Sequence, residues 1–273
     1  MTIADALKKY TDIEIELLLG HLLQQSKEFL YLHPEFKLSS EESAELVQMS
    51  KLRESGVPTA YITRYKHFYG LNFKVSKNVL IPRPETEWIV DEALRITTKK
   101  QREPKRKVVR ILDVGTGSGA IAVSLAFNTD PAKVEIFATD ISDKALVVAK
   151  QNANAAKVKI NFSKHDLLTG VNGKFDIIIA NLPYVPASDY KKFFENLKHE
   201  PKLALTDGTD NFILIKKLID QLPSRLNKDG FVLLEIDPLA VKPLTLQAKK
   251  SGKYKTIKVI PDLQKLQRFI VLH

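Results

Sequence analysis

From Val108 onward the chain alternates short, uninterrupted apolar runs with helical patterns, and this constrains the fold more than any other feature. Residues 108–113, 134–140, 158–163, 175–180 and 231–236 read as strands. A glycine loop and helix to Phe127, a helix over 142–156 that Ser142 can cap, and a helix over 211–226 fall between them. Strands alternating with helices predict a parallel, doubly wound α/β sheet. The end of the chain breaks the rhythm. Residues 254–260 and 267–272 are two strands with no helix between, so the sheet should finish in an antiparallel hairpin.

The first eighty residues are different in kind. Residues 12–25 (DIEIELLLGHLLQQ) return apolar side chains at helical intervals. Ser39 and Glu42 fit a capping box that opens a second helix towards Glu54, closed by Gly56 and Pro58. Residues 65–75 (YKHFYGLNFKV) place aromatic and β-branched residues around Gly70 and Asn72, the pattern of a hairpin. Residues 80–86 (LIPRPET) form a two-proline connector, and 85–96 look helical after it. The expected division is a small helical domain with hairpin and linker over 1–79, and a sheet domain over 80–273.

Composition narrows the class. The chain has no cysteine, which rules out disulfides and thiolate metal sites and suits a cytoplasmic protein. Its six histidines show no HxH or HxxxH spacing, so no metal is assigned. No 18-residue apolar run predicts a membrane span, and MTIADALKKY lacks the basic-then-apolar order of a signal peptide. The formal charge of +10 favours an acidic partner. Much of the excess lies in residues 99–110 (KKQREPKRKVVR), read as a solvated interdomain loop more readily than as a nucleic-acid patch.

The stretch ILDVGTGSGAIAVSLA puts Asp113, Gly115, Thr116, Gly117, Ser118 and Gly119 at a strand-to-helix junction. Glycines let backbone approach a ligand closely and adopt positive φ. Gly115, Gly117 and Ala120 also satisfy the dinucleotide fingerprint, and Asp140 at the next strand tip could hold ribose hydroxyls in either case. Asp113, two residues before the first glycine, could meet a cationic amino-acid moiety. Asp166 after the third strand could accept from an adenine amino group or be a surface turn acid. Together these favour S-adenosylmethionine over NAD.

IIIANLPYVP (177–186) ends a buried strand in Asn181, Leu182, Pro183 and Tyr184. Ligands of open α/β sheets bind outside the carboxyl ends of the strands. Methyl transfer to a planar nitrogen needs such a tip, because a delocalised lone pair makes a poor nucleophile. The Asn181 oxygen and a neighbouring backbone carbonyl can hold the NH₂ in line with the methyl group, while the Tyr184 ring stacks on the acceptor. A capping Asn followed by a proline turn is the plainer alternative.

The combination resembles the class I S-adenosylmethionine-dependent methyltransferases, and within them the release-factor glutamine methyltransferase family. The likeness is carried by Asp12, Glu14, Leu17 and Leu18, by PTAYI (58–62) with Phe68, and by LIPRPET, the glycine loop and Asn181 to Tyr184. Glu200-Pro201 with Ala204-Leu205 completes it. It implies a Rossmann-like catalytic domain and a helical N-terminal domain that docks a class I peptide-chain release factor. It further implies methylation of the side-chain amide nitrogen of the glutamine in the factor's GGQ loop, leaving S-adenosylhomocysteine. By position, Gly115 to Gly119, Asp140, Asp166 and Leu167 would line the cofactor site. Asn181 to Tyr184, with Arg83, would receive the glutamine. The implied enzyme is a monomer with no direct nucleic-acid or membrane partner.

Three departures stand out. The family reads N-P-P-Y where this chain has Leu182; a glycine that often follows the P-x-[QA]-Y-[IL]-x run is Arg64; and the late D-L-x-G-x-x-R pattern has Lys265 at its glycine. The mechanism asks position 182 only for its carbonyl, and Pro183 pushes the preceding residue to extended angles, so activity should survive. The competing functions are an adenine-N6 nucleic-acid methyltransferase, an NAD-dependent dehydrogenase, and a degenerate binding protein silenced by Leu182. The first lacks a separate target-recognition domain. The second lacks a clear hydride-transfer acid or base.

Overall fold

The computed structural model describes residues 1–10, 14–103 and 108–273. It contains two compact units, Met1–Tyr65 and Lys66–His273. In the first, helices α1 (Ile3–Lys9), α2 (Ile15–Leu23), α3 (Lys27–Leu32), α4 (Ser40–Glu54) and α5 (Thr59–Thr63) enclose a core that includes Ile3, Leu18, Leu19, Leu30 and Leu46. The capping box at α4 forms as the sequence predicts: Glu42 N–H donates to Ser39 Oγ at 3.0 Å and Ser39 N–H to Glu42 Oε2 at 2.8 Å. A second box, Thr2 with Asp5, opens α1. The helix expected over 12–25 is α2; Asp12 lies outside the described residues.

The hairpin is β1 (Tyr65–Phe68) and β2 (Leu71–Lys74), turning at Tyr69 (φ +49°) and Gly70 (φ +74°). It was expected with the N-terminal domain, but Phe68 and Phe73 are buried in one cluster with Ile89, Val90 and Ala93 of α6 (Glu87–Gln101). Two fully desolvated aromatic rings outweigh proximity in sequence, so the hairpin folds with the second unit.

That unit holds a seven-stranded sheet in the order β5-β4-β3-β6-β7-β9-β8. Its parallel part is β3 (Val109–Val114), β4 (Val134–Asp140), β5 (Asn161–Lys164), β6 (Phe175–Asn181) and β7 (Leu226–Glu235). β8 (Ile257–Pro261) and β9 (Gln267–Leu272) form the terminal antiparallel hairpin, with β9 against β7. Side chains alternate across the sheet: Ile111, Ile177 and Ile179 enter one core, and Leu112, Val114, Ile178 and Ala180 the other. Both faces are therefore apolar, which is why these strands read as unbroken hydrophobic runs. Each buried Ile or Leu contributes roughly 1.5–3 kcal/mol of transfer free energy. The covering helices are α6, α7 (Ala120–Phe127), α8 (Asp143–Ala155), α12 (Ile213–Arg225) and α13 (Val241–Ser251), with three short helices α9–α11 between Ala187 and Leu205.

The basic run 99–110 is not interdomain. It joins α6 to β3 inside the second unit, and its flanks are structural. Buried Lys100 donates to the Asp229 carbonyl at 2.6 Å, and the Arg110 guanidinium lies over the rings of Phe137 and Phe175. Residues 104–107 lie outside the described residues. Among the described residues no helix is long and apolar enough to cross a membrane.

Candidate active site

The strand order reverses between β3 and β6, which places the ends of these two strands at the switch point where open α/β sheets bind ligands. A cavity of about 290 Å³ opens there. After β3, Gly115 N–H and Thr116 N–H both donate to the Thr139 carbonyl, at 2.8 and 2.9 Å, and Gly117 N–H donates to Asp140 Oδ2 at 2.9 Å. Gly117 takes φ +56° with nothing within 4 Å of where a Cβ would be, so its backbone faces open space on the cavity wall. Gly119, at φ +81°, has Ala149 of α8 3.1 Å from its would-be Cβ, so only a glycine lets α8 pack this closely.

Asp140 lines the cavity, its Oδ1 accepting from Ser142 N–H at 2.8 Å. Burial raises its pKa above the usual carboxylate range, opposed by the backbone N–H groups of Ser142 and Gly117. The Asp140 carbonyl accepts from His165 N–H at 3.1 Å, which draws in the turn carrying Asp166 and Leu167. Both of those residues line the cavity, as do Gly115, Thr116, Gly117 and Ser118. Asp113 does not. It is buried beneath the loop and accepts from Thr116 Oγ1 at 2.6 Å. Its Oδ1 makes no hydrogen bond of normal geometry, although the nearby Ala122 amide favours the carboxylate. Burial pushes its pKa up to about 7.

At the end of β6, Asn181, Leu182 and Pro183 line the same cavity. Asn181 Nδ2 donates to Thr86 Oγ1 at 3.2 Å, and Thr86 Oγ1 donates to Glu235 Oε2 at 2.7 Å. Among the described residues, none donates a hydrogen bond to Asn181 Oδ1 or to the Leu182 carbonyl. Tyr184 is set back from the cavity, its hydroxyl donating to Glu235 Oε1 at 3.1 Å. Burial raises the Glu235 pKa, opposed by the Thr86 and Tyr184 hydroxyls and by the charge of Arg268.

Arg83 lines the cavity and pairs with Glu200 Oε1, while Glu200 Oε2 accepts from Ile81 N–H at 3.1 Å. The LIPRPET connector is thus tied to the Glu200-Pro201 segment. Of the sequence-predicted residues, the structure gathers all but Asp113, Gly119 and Tyr184 on the cavity wall. Sequence reasoning missed Thr86 and Glu235. The available signal for Glu235 was a lone carboxylate at the carboxyl end of an apolar strand.

Comparison with known proteins places this arrangement. Residues 4–63 match the PrmC N-terminal domain and residues 90–229 the methyltransferase small domain. A release factor glutamine methyltransferase of Coxiella burnetii is 37% identical over 262 residues, spanning 95% of this chain and 90% of the relative. One of Rhodopirellula baltica is 34% identical over 263 residues, spanning 94% and 88%. The crystal structure of a methyltransferase from Pyrococcus furiosus shares the fold, with a TM-score of 0.54 at 17% identity over 86% of this chain and 98% of that one. With matches over nearly its whole length and a methyltransferase cavity at its sheet's switch point, the chain belongs to the release-factor glutamine methyltransferase family.

Proposed function

We propose that the protein transfers a methyl group from S-adenosylmethionine to the side-chain amide nitrogen (N5) of the glutamine in the GGQ loop of class I peptide-chain release factors. The observation that carries the reading is the pair of unpartnered acceptors, Asn181 Oδ1 and the Leu182 carbonyl, at a strand end beside a glycine loop. The chain's residues fit the cofactor: an open backbone at Gly117, with the Asp140 carboxylate and Asp166 on the cavity wall.

When bound, S-adenosylmethionine supplies a methyl group on a sulfonium, the electrophile of the reaction. Asp140 holds the ribose hydroxyls and Asp166 the adenine amino group. Asn181 Oδ1 and the Leu182 carbonyl each accept one N–H of the glutamine amide, which fixes its plane and stabilises the positive charge growing on nitrogen. The proton lost from nitrogen leaves from one of these two oxygens to water. Tyr184, set back from the cavity, supports Glu235 behind the acceptor tip, and Arg83 holds the neighbouring substrate backbone. The N-terminal unit docks the factor, and the enzyme acts as a cytoplasmic monomer without direct nucleic-acid contact.

Mass spectrometry of a release factor incubated with the protein and S-adenosylmethionine tests this. The expected result is one added methyl on the GGQ glutamine, absent with Asn181→Ala. Methylation of adenine in DNA or RNA, with none on the factor, overturns it.

A further inference from the structure

An asparagine amide is nearly symmetric in shape, so something must decide which end faces the methyl acceptor. In this protein the decision is made behind Asn181. Glu235 is buried and paired with Asn181 across the parallel β6–β7 ladder. As a carboxylate it offers only acceptors, and it takes the single proton of Thr86 Oγ1 at 2.7 Å. With that proton committed, Thr86 presents Asn181 with a lone pair. Asn181 must answer with its NH₂, as it does at 3.2 Å. A flipped amide would set the Asn181 and Thr86 oxygens against each other in a part-buried site, at the cost of a hydrogen bond and a repulsive contact. The hydroxyl of Tyr184 occupies the other Glu235 oxygen, and Arg268, itself held by Asp262 at 2.8 Å, adds a positive charge that favours the ionised carboxylate. Burial, the largest influence on Glu235, and the charge of Glu85 oppose ionisation, against the Thr86 and Tyr184 hydroxyls and Arg268.

We infer that Thr86 and Glu235 form a polarity lock that holds Asn181 with its oxygen towards the substrate, and so selects an acceptor group that carries two N–H donors. Both are positioning residues, and the inference rests on the reading of Asn181 as the acceptor clamp. The lock also sets a specificity. A carboxylate in place of the glutamine amide meets two lone pairs and no donor, so a factor with glutamate at that position is rejected. In Glu235→Gln the new amide can donate to Thr86, the hydroxyl proton is released towards Asn181, and the amide can turn its NH₂ to the substrate.

The test uses the full chain and an intact release factor, with its natural glutamine or with that glutamine replaced by glutamate as a competitor. Thr86→Val and Glu235→Gln are expected to lower kcat about a hundredfold, the scale of a misplaced reacting group. Affinity for S-adenosylhomocysteine should be unchanged, and Thr86→Ser should return most of the rate. The discriminating readout is the competitor. In Glu235→Gln the preference for glutamine over glutamate binding should narrow by about tenfold or more. If both variants keep the wild-type rate, or lose it with that preference intact, the lock is wrong. Asn181→Ala separates this from the parent reading: full activity there removes the clamp itself, whereas inactivity there with active Thr86→Val and Glu235→Gln removes only the lock.

Discussion

Leu182 lies against Gly115: a β-carbon added to Gly115 would stand 2.7 Å from Leu182 Cδ2. The residue that departs from the family's N-P-P-Y pattern is therefore buried packing between the acceptor tip and the donor loop. Gly115→Ala should destabilise the protein by about 1–2 kcal/mol, since φ is +74° there and the contact is too close. Adding Leu182→Ala should recover only the steric part, a coupling of about 0.5–1 kcal/mol in a urea-unfolding double-mutant cycle. Leu182→Pro should keep methyl transfer within a few-fold but cost about 1–2 kcal/mol of stability from the lost buried carbons. A protein that is inert until that substitution is made would instead be a degenerate binder.

The other two departures share one backbone feature. Arg64 and Lys265 both stand at φ +65°, where the family pattern has glycine. A left-handed conformation costs an L-residue roughly 1–2 kcal/mol, part of which glycine returns through its larger unfolded-state entropy. Arg64→Gly and Lys265→Gly should each stabilise by about 0.5–1 kcal/mol in denaturant unfolding. Lys265→Ala should gain nothing, because alanine keeps the penalty.

Asp113 gives the fold a pH dependence of definite sign. Burial, with the Asp140 charge adding to it, lifts its pKa from 3.8 to about 7. Between those values the folded state binds the proton that the unfolded state has lost, so this group's contribution to stability falls as pH rises from about 4 to 7. Asp113→Asn removes the titration. The variant should gain on the wild type across that window, by at most on the order of 4 kcal/mol. Urea unfolding of both proteins at pH 5 and pH 8 measures it, and an equal difference at both pH values would refute the assignment.

S-adenosylhomocysteine at a hundred times its dissociation constant should stabilise the protein by about 2.7 kcal/mol. For a unit of this size that raises Tm by roughly 5–10 °C. NAD⁺ should give no shift, and Asp140→Ala should abolish the response to S-adenosylhomocysteine. A shift with NAD⁺ would favour the dehydrogenase reading.

Much of the second unit was legible because its signals are local. Residues 134–140 and 267–272 are strands at the predicted bounds, Ser142 caps its helix as Ser39 does in the first unit, and the hairpin turns at Gly70. Helix α13 was not legible: Pro238 and Pro243 look like breakers, yet proline is tolerated in a first helical turn. The strand read over 158–163 shrinks to β5, an edge strand with little apolar surface to bury, while β7 begins five residues earlier than its apolar run. The Asn181–Thr86–Glu235 chain joins positions up to 149 residues apart, and hydroxyl–carboxylate pairing leaves no periodicity in sequence. Tyr184 shows the same limit, since the bond that draws it towards Glu235 comes from the neighbouring strand.

The pairing of Asp113 with Ile179 and Val114 with Ala180 fixes the level at which β3 and β6 end. Parallel strands advance about 3.3 Å per residue, so the ladder works as a ruler between the donor loop and the acceptor tip. Two residues inserted into β6 would preserve the in-out alternation of its side chains, yet carry Asn181 about 7 Å beyond the loop, out of reach of a methyl transfer. Side chains around the cavity can therefore vary with substrate while the main-chain ladder sets the level of the two strand ends between which the methyl moves.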